Sequence, residues 1–188
     1  MADHLRKIPF GEELLKAVTD FDCGDEEWES PLAAWIEAAP SVENGALHEM
    51  RKRKGKLSVW LHVNGAGELV GYSALGASNW EWPTADDPRV PISVIPNVAI
   101  QKRFWGCPKG DPPRYSTQIL DHLVFEARKH EDRHPLLGLF VHPMNGRAIK
   151  AYKVAHFEEY FRTYWDDEEG VEYIIMLLKL AEAPSAEG

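Results

Sequence analysis

LFVHPMNGRAIKAYKVAHFEEY, residues 139–160, decides how this chain folds. An apolar run stops at His142 and Pro143, and a helical pattern starts at Asn145. Asn suits the position before a helix because its side-chain oxygen accepts one of the N–H groups that the first turn leaves without a partner. Ala148 and Tyr152 are four residues apart and so share one helix face. Ala155, His156 and Phe157 close the helix before another strand-like segment begins at Glu158. The stretch therefore reads as strand, helix, strand, with the helix over residues 145–155.

Working outward, residues 136–142 form the strand before that helix. Residues 158–165 and 171–180 form a final hairpin around the acidic turn DDEEG. Upstream, residues 116–129 place Ile119, Leu120, Leu123, Val124 and Ala127 on one helix face. Before that helix runs VAIQKRFWGCPKGDPPRYSTQIL, residues 98–120, an apolar strand that gives way to Lys and Arg, then to Gly and Pro. Pro91 and Pro96 interrupt the strand-like residues 90–100, and proline lacks the ladder donor. A strand is expected over 97–101, its pairing disturbed near Pro96. Residues 56–63 alternate as a strand, NGAGE (64–68) is a hairpin turn, and 69–78 is the returning strand. The N-terminal part offers a strand at 6–10 and two helical patterns, 11–21 and 30–39, the second opening on Ser30 and Pro31. A strand–helix–strand order implies a right-handed crossover and a parallel pair, while the hairpins imply antiparallel edges. The expected class is α/β (α+β), a mixed, mostly antiparallel sheet flanked by helices. One domain is expected over 1–182, with 183–188 a loose tail.

The chain has 188 residues, 44% of them hydrophobic, enough for a real core. Its longest apolar run, IIMLL, is too short to span a bilayer, and its N-terminus has no secretory pattern. Cys23 and Cys107 lie far apart in unlike settings and read as free thiols. A cytoplasmic protein without membrane contact is expected. A net charge of −9 argues against general nucleic-acid binding. The basic run RKRKGK at 51–56 reads as a solvated helix end.

The pattern Asn145, Ala148, Tyr152, Ala155, Phe157 after a strand resembles the second half of the GCN5-related N-acetyltransferase fold. The hairpin over 56–76, with its step Gly71, Tyr72, is similar to that family's second and third strands. The resemblance implies acetyl-CoA as cofactor and transfer of its acetyl group to a primary amine of a small molecule or peptide. It implies that Asn145 contacts the cofactor near the pantetheine arm and that Tyr152 protonates the departing thiolate. Ala155 stands where the family usually has Gly. Residues 98–116 resemble the family's pyrophosphate loop in a lengthened form, with Trp105 in place of Arg or Gln and Gly106 as the first glycine. Main-chain groups of Val98, Ala99 and Ile100 would then hold the pantetheine arm. Amides between Phe104 and Ser116, with Arg103, Trp105, Gly106, Arg114 and Tyr115, would hold the pyrophosphate. Lys102, Arg103, Lys109 and Arg114 make this stretch locally basic, with Asp111 its one acid.

Other features leave alternatives open. Phe21, Asp22, Cys23 and Gly24 resemble a motif in tRNA-acetylating toxins of the family, so aminoacyl-tRNA is a competing acceptor. The irregular loop also allows a CoA-binding module without turnover, or a domain with no cofactor. No general base is evident: Glu81, Asp86 and Asp87 are candidates, and Asn97 a candidate for placing a water. Trp80, Trp82 and Trp105 would wall an acceptor pocket or simply pack. His130 and His134 have helical metal spacing but no third ligand nearby, so no metal site is expected. The final hairpin, with its apolar strand VEYIIMLL, would either join two subunits or fill the core.

Overall fold

A computed structural model describes residues 4–9, 21–24, 57–80, 90–109, 113–166 and 170–180. Both N-terminal helical patterns, the basic run 51–56, the acidic candidates Glu81, Asp86 and Asp87, and the tail lie outside the described residues. In chain order the elements are β1 (Arg6–Pro9), β2 (Leu57–Val63), β3 (Leu69–Trp80), β4 (Val90–Val94), β5 (Val98–Ile100), α1 (Tyr115–Arg128), β6 (Leu136–Val141), α2 (Gly146–Val154), β7 (Glu158–Asp166) and β8 (Val171–Lys179). No helix among the described residues is long and apolar enough to cross a membrane. The chain divides into two compact units, Met1–Ala74 with Asn97–Ile119, and Leu75–Pro96 with Leu120–Gly188. β3 and α1 each run from one unit into the other.

In the first unit β1 pairs antiparallel with β2, Ile8 opposite Leu61. β2 alternates as its sequence requires, with Val59, Leu61 and Val63 buried. Asn64 makes the following turn: its Oδ1 accepts from the amides of Ala66 and Glu68 at 3.1 and 2.9 Å. Gly67 takes the left-handed φ of 82° that the turn needs. The chain returns as β3, where the buried Ser73 and His62 satisfy each other at 2.8 Å.

β5 then runs antiparallel to the first half of β3, with Gly71 opposite Ile100 and Ser73 opposite Val98. The two strands approach so closely that a Cβ on Gly71 would lie 2.5 Å from the Ala99 carbonyl oxygen and 3.0 Å from Ile119 Cδ1. Only glycine fits there.

In the second unit the later part of β3 pairs with β4, Gly76 opposite Val94 and Trp80 opposite Val90. A parallel pair is present, but β6 makes it with β4, Ser93 opposite Leu137, and not with the strand at 97–101 that the strand–helix–strand order pointed to. β6 lies antiparallel to β8 along its whole length, and β8 to β7, with β7 at the end of the strand order. Leu137, Leu139, Ile175 and Met176 supply its core, together with Leu120, Leu123 and Ala127 of α1. His134 donates or accepts at 3.4 Å with buried Ser93, and burial is the leading reason its imidazolium is disfavoured.

The strand expected over 97–101 is β5, and the strand-like residues before Pro96 form a separate strand, β4. From Gly76 to Ser73 β3 advances three residues, while its partners advance four, from Val94 to Val98. The extra residue is a β-bulge, and it falls around Pro96, which has no N–H to donate.

Gly71→Ala is expected to lower stability by about 1–3 kcal/mol, because backbone carbonyl oxygen cannot yield as a side-chain tip can. Thermal unfolding against wild type measures it.

Candidate functional site

The residues singled out for cofactor binding fall into two groups, one in each unit. Val98 to Ser116 belong to the first unit, and Asn145 and Tyr152 to the second.

Consider β5 first. The Ala74 amide donates to the Asn97 carbonyl at 2.9 Å, and the Gln101 amide to the Val70 carbonyl at 2.8 Å. An antiparallel ladder alternates bonded and non-bonded pairs. Ala99 opposite Tyr72 is therefore a bonded pair, and the N–H and C=O groups of Val98 and Ile100 point away from β3. Of the three residues proposed to hold a ligand's chain, Ala99 has its main chain committed to β3, while Val98 and Ile100 turn theirs outward. The Ile100 carbonyl is taken by the Trp105 indole N–H at 3.0 Å. Trp105 thus stands in place of the family's Arg or Gln as a clasp folding the loop back on its strand.

The loop builds itself. Lys102–Phe104 is a 3₁₀ turn. The amides of Phe104, Trp105 and Cys107 bond to the carbonyls of Gln101, Lys102 and Phe104. The Lys102 amide reaches the Asp22 carbonyl at 2.7 Å. Asp22 belongs to the FDCG segment, whose Phe21 and Cys23 are buried and whose Phe21 ring meets Tyr72 edge-on at 5.4 Å. The Arg103 guanidinium lies 4.6 Å over the Phe104 ring and pairs with Glu68 at 3.3 Å, an exposed pair worth little.

At the loop's far end the Tyr115 amide donates to the Cys107 carbonyl at 2.8 Å, which draws the start of α1 to the Gly106 region. Tyr115 is 2% exposed and packs edge-on against Phe104. Tyr115 therefore fastens the loop and has no amide to offer a ligand. The amides of Gly106, Ser116 and Thr117 carry no hydrogen bond among the described residues. Gly106 sits at φ 75° with open space around it. Arg114 and Lys109 stand exposed beside these amides in sequence. Free N–H groups at a helix start with cations nearby make a fitting place for phosphate. Thr117 was not singled out by sequence; the signal was its place as the third residue of the helix, where an amide is always without an internal partner.

In the second unit, Asn145 caps α2 as its sequence predicted, Oδ1 accepting from the Ala148 amide at 3.0 Å. That leaves its Nδ2 group with no partner among the described residues. His142, at the end of β6, accepts at Nδ1 from the Met144 amide at 3.2 Å and so shapes the turn into the helix. α2 ends in a Schellman arrangement. The Phe157 amide reaches the Tyr152 carbonyl at 3.0 Å and the His156 amide the Lys153 carbonyl at 3.1 Å. The left-handed residue is His156, φ 66°, while Ala155 has the ordinary φ of −85°. The family's usual glycine position is therefore one that Ala155 fills without strain. Tyr152 is 9% exposed, its ring against Phe157 at 5.9 Å. Burial pushes its phenol well above the ordinary tyrosine value, because desolvation penalises the phenolate.

No protein-family model and no curated protein matches the chain. Solved structures do. AAC(6')-Ib in complex with paromomycin and acetyl-CoA aligns with a TM-score of 0.64 at 16% identity, over 94% of this chain and 94% of that one. The ribosomal-protein-S18-alanine N-acetyltransferase of Escherichia coli gives 0.59 at 17% identity, over 98% and 99%. The AtaT toxin bound to the C-terminus of the antitoxin AtaR and acetyl-CoA gives 0.58 at 15% identity, over 95% and 94%. The chain has the fold of the GCN5-related N-acetyltransferases.

Asn145→Ala is expected to cost about 1 kcal/mol through loss of the cap, while Asn145→Asp keeps the cap and the stability. His156→Gly is expected to raise stability by roughly 0.5–1 kcal/mol by relieving the left-handed Cβ. Denaturant titration of the three variants checks both.

Proposed function

We propose that the chain is an acetyl-CoA-dependent N-acetyltransferase that transfers an acetyl group directly to a primary amine of a small molecule or peptide. The observation that carries this reading is the set of main-chain groups in one unit that the fold's own hydrogen bonds leave over. Val98 and Ile100 lead into the Gly106, Ser116 and Thr117 amides, on a fold shared with N-acetyltransferases over nearly the whole chain.

Acetyl-CoA supplies an activated acetyl thioester. Val98 and Ile100 would bond the amide groups of its pantetheine arm. The free amides, with Arg114 and Lys109, would meet its phosphates, and Asn145 Nδ2 would donate to a pantetheine carbonyl. Bound there, acetyl-CoA would acylate a neutral amine: a C–N bond would form as the C–S bond breaks, and the proton the amine loses would pass through solvent to restore the Tyr152 phenol. Tyr152 would donate its phenolic proton to the leaving thiolate. Its burial suits a donor: the proton is retained across the working pH range, because the shift is upward.

The aminoacyl-tRNA reading receives no support from the FDCG segment. Its Phe21 and Cys23 point into the core and its Asp22 carbonyl braces the loop, so the motif serves the fold. The chain's net charge of −9 also opposes a polyanionic substrate.

Calorimetric titration with acetyl-CoA tests the cofactor. Arg114→Ala and Asn145→Asp are both expected to bind more weakly than wild type while folding normally. A folded wild-type chain that shows no binding sinks the proposal. In a screen of amines, Tyr152→Phe is expected to lower kcat by ~10²–10⁴ with acetyl-CoA binding retained. Because the Tyr152 shift is upward, the wild-type rate should show no alkaline fall from this group below about pH 10. A fall at pH 8–9 that disappears in Tyr152→Phe would assign the phenol a low pKa and remove it as the proton donor.

A further inference from the structure

The apolar strand VEYIIMLL, which the sequence offers as a subunit contact or as core, lies inside the sheet. β8 runs between β6 and β7, and its Ile175 and Met176 are 4% and 0% exposed. Paired residues of neighbouring strands share a face. Phe140 pairs with Ile175, and Tyr164 with Tyr173. Ile175 and Tyr173 are two residues apart, so all four lie on one face of the sheet. The Phe140 and Tyr164 rings meet 4.8 Å apart across β8, and the two residues are 47% and 46% exposed. The Tyr173 ring extends this surface to the His142 ring, edge-on at 5.8 Å. Aromatic rings are thus gathered at the carboxyl end of β6, the end that runs into α2 through its cap, Asn145. The surrounding charge is negative. β6, β7 and β8 hold Glu158, Glu159, Asp166 and Glu172 against Arg162 and Lys179. Asp166, two residues beyond Tyr164, shares its face, while Arg162 has its guanidinium 5.1 Å over the Phe161 ring. The whole unit, Leu75–Pro96 with Leu120–Gly188, carries sixteen acids and nine bases, a net −7 of the chain's −9.

We infer that this face selects an acceptor with two amino groups, an aliphatic diamine or polyamine. The inference rests on the acetyl-transfer reading and names its acceptor class. The amine that attacks a thioester must be neutral. The acceptor's second amine keeps its proton at neutral pH, since an alkyl ammonium titrates near pH ~10. That second cation is what the face fits. An aromatic ring attracts a cation held over it within ~6 Å of its centroid, because the ring face is the negative side of its quadrupole. Phe140, Tyr164 and Tyr173 supply the rings, and Asp166 supplies a carboxylate on the same face. A monoamine leaves the rings without a cation. A peptide laid on this face would find no partners for its main-chain groups, because those of β6 and β8 pair with one another. A flexible chain of methylenes carrying ammonium groups has no such groups to satisfy.

Steady-state rates with acetyl-CoA test it, comparing 1,5-diaminopentane with pentylamine, which has the same carbon chain and one ammonium fewer. Wild type is expected to favour the diamine by at least ~10-fold in kcat/KM, the difference lying in KM. Phe140→Leu with Tyr164→Leu keeps apolar cover over Ile175 and removes both rings. This double variant is expected to lose most of that preference, with kcat for the diamine and the rate with pentylamine retained, and circular dichroism showing the fold intact. Asp166→Asn is expected to lower the preference by roughly 3-fold. Calorimetric titration of the diamine alone gives a readout separate from turnover, and its binding is expected to weaken by about 10-fold in the double variant. Ring-dependent binding of the diamine with no acetylation of any amine would sink the acetyl-transfer reading and leave the cation site standing. A diamine that does not bind, equal rates with the two amines, a preference that survives the double variant, or a lysine-containing peptide used better than the diamine overturns the inference.

Discussion

The structure depends on the place where β3 loses one partner and gains another. A single extra residue between Val94 and Val98 ends the pairing of β4 and begins that of β5. Pro96 enforces the change, since it has no N–H for the ladder. Gly71 makes the second pairing feasible, because the Ala99 carbonyl occupies the space where any Cβ would sit. The alternation that follows is not a matter of sequence preference. Once Asn97 and Gln101 are bonded to Ala74 and Val70, ladder geometry alone turns the main chains of Val98 and Ile100 outward. Residues with unremarkable side chains present outward main-chain groups because of their parity.

Much of this was legible in advance. Strand alternation in 57–63, the turn at Asn64, the amphipathic α1 and the Asn145 cap are local features, and each is written in residues within one element. The order of elements announced a parallel pair, but assigned it to the strand at 97–101, whereas β6 takes β4 as its partner and β5 pairs with β3. The split between β4 and β5 was only half legible. Pro96 announced a disturbance, but a register shift is a relation between two strands far apart in sequence. Tyr115 misled for a similar reason. It stands at a helix start, where amides are free by default, yet the Cys107 carbonyl claims its N–H and the core claims its ring. His156 was invisible as the left-handed residue, because Ala155 and His156 are both non-glycine and only the backbone tells them apart.

Motifs that look functional can also serve the fold. FDCG reads as a signature of substrate class, and its observed work is internal: two buried side chains and one carbonyl that holds the amide of Lys102. A short motif can persist because a loop needs bracing. Its presence then reports on the loop, and only through the loop on the ligand.

That loop also bears on what a departure from a family pattern means. Regular glycines in a phosphate loop serve two ends: they allow left-handed turns, and they keep side chains out of the ligand's way. Here one glycine, Gly106, meets both needs at φ 75° with open space around it. Elsewhere the chain reaches the same ends by other means. Amides of Phe104, Trp105 and Cys107 are satisfied within the loop, the Trp105 indole ties it to Ile100, and the Tyr115 amide ties its far end to Cys107. A ligand competes only for amides left over after such bonds are made. Grip on a phosphate is thus set by the remainder of a hydrogen-bond account, and two loops with different letters can leave the same remainder. The lengthened segment after Gly106 adds the exposed Lys109 and Arg114 without consuming the Gly106, Ser116 or Thr117 amides, so its extra length adds positive charge at no cost in donors.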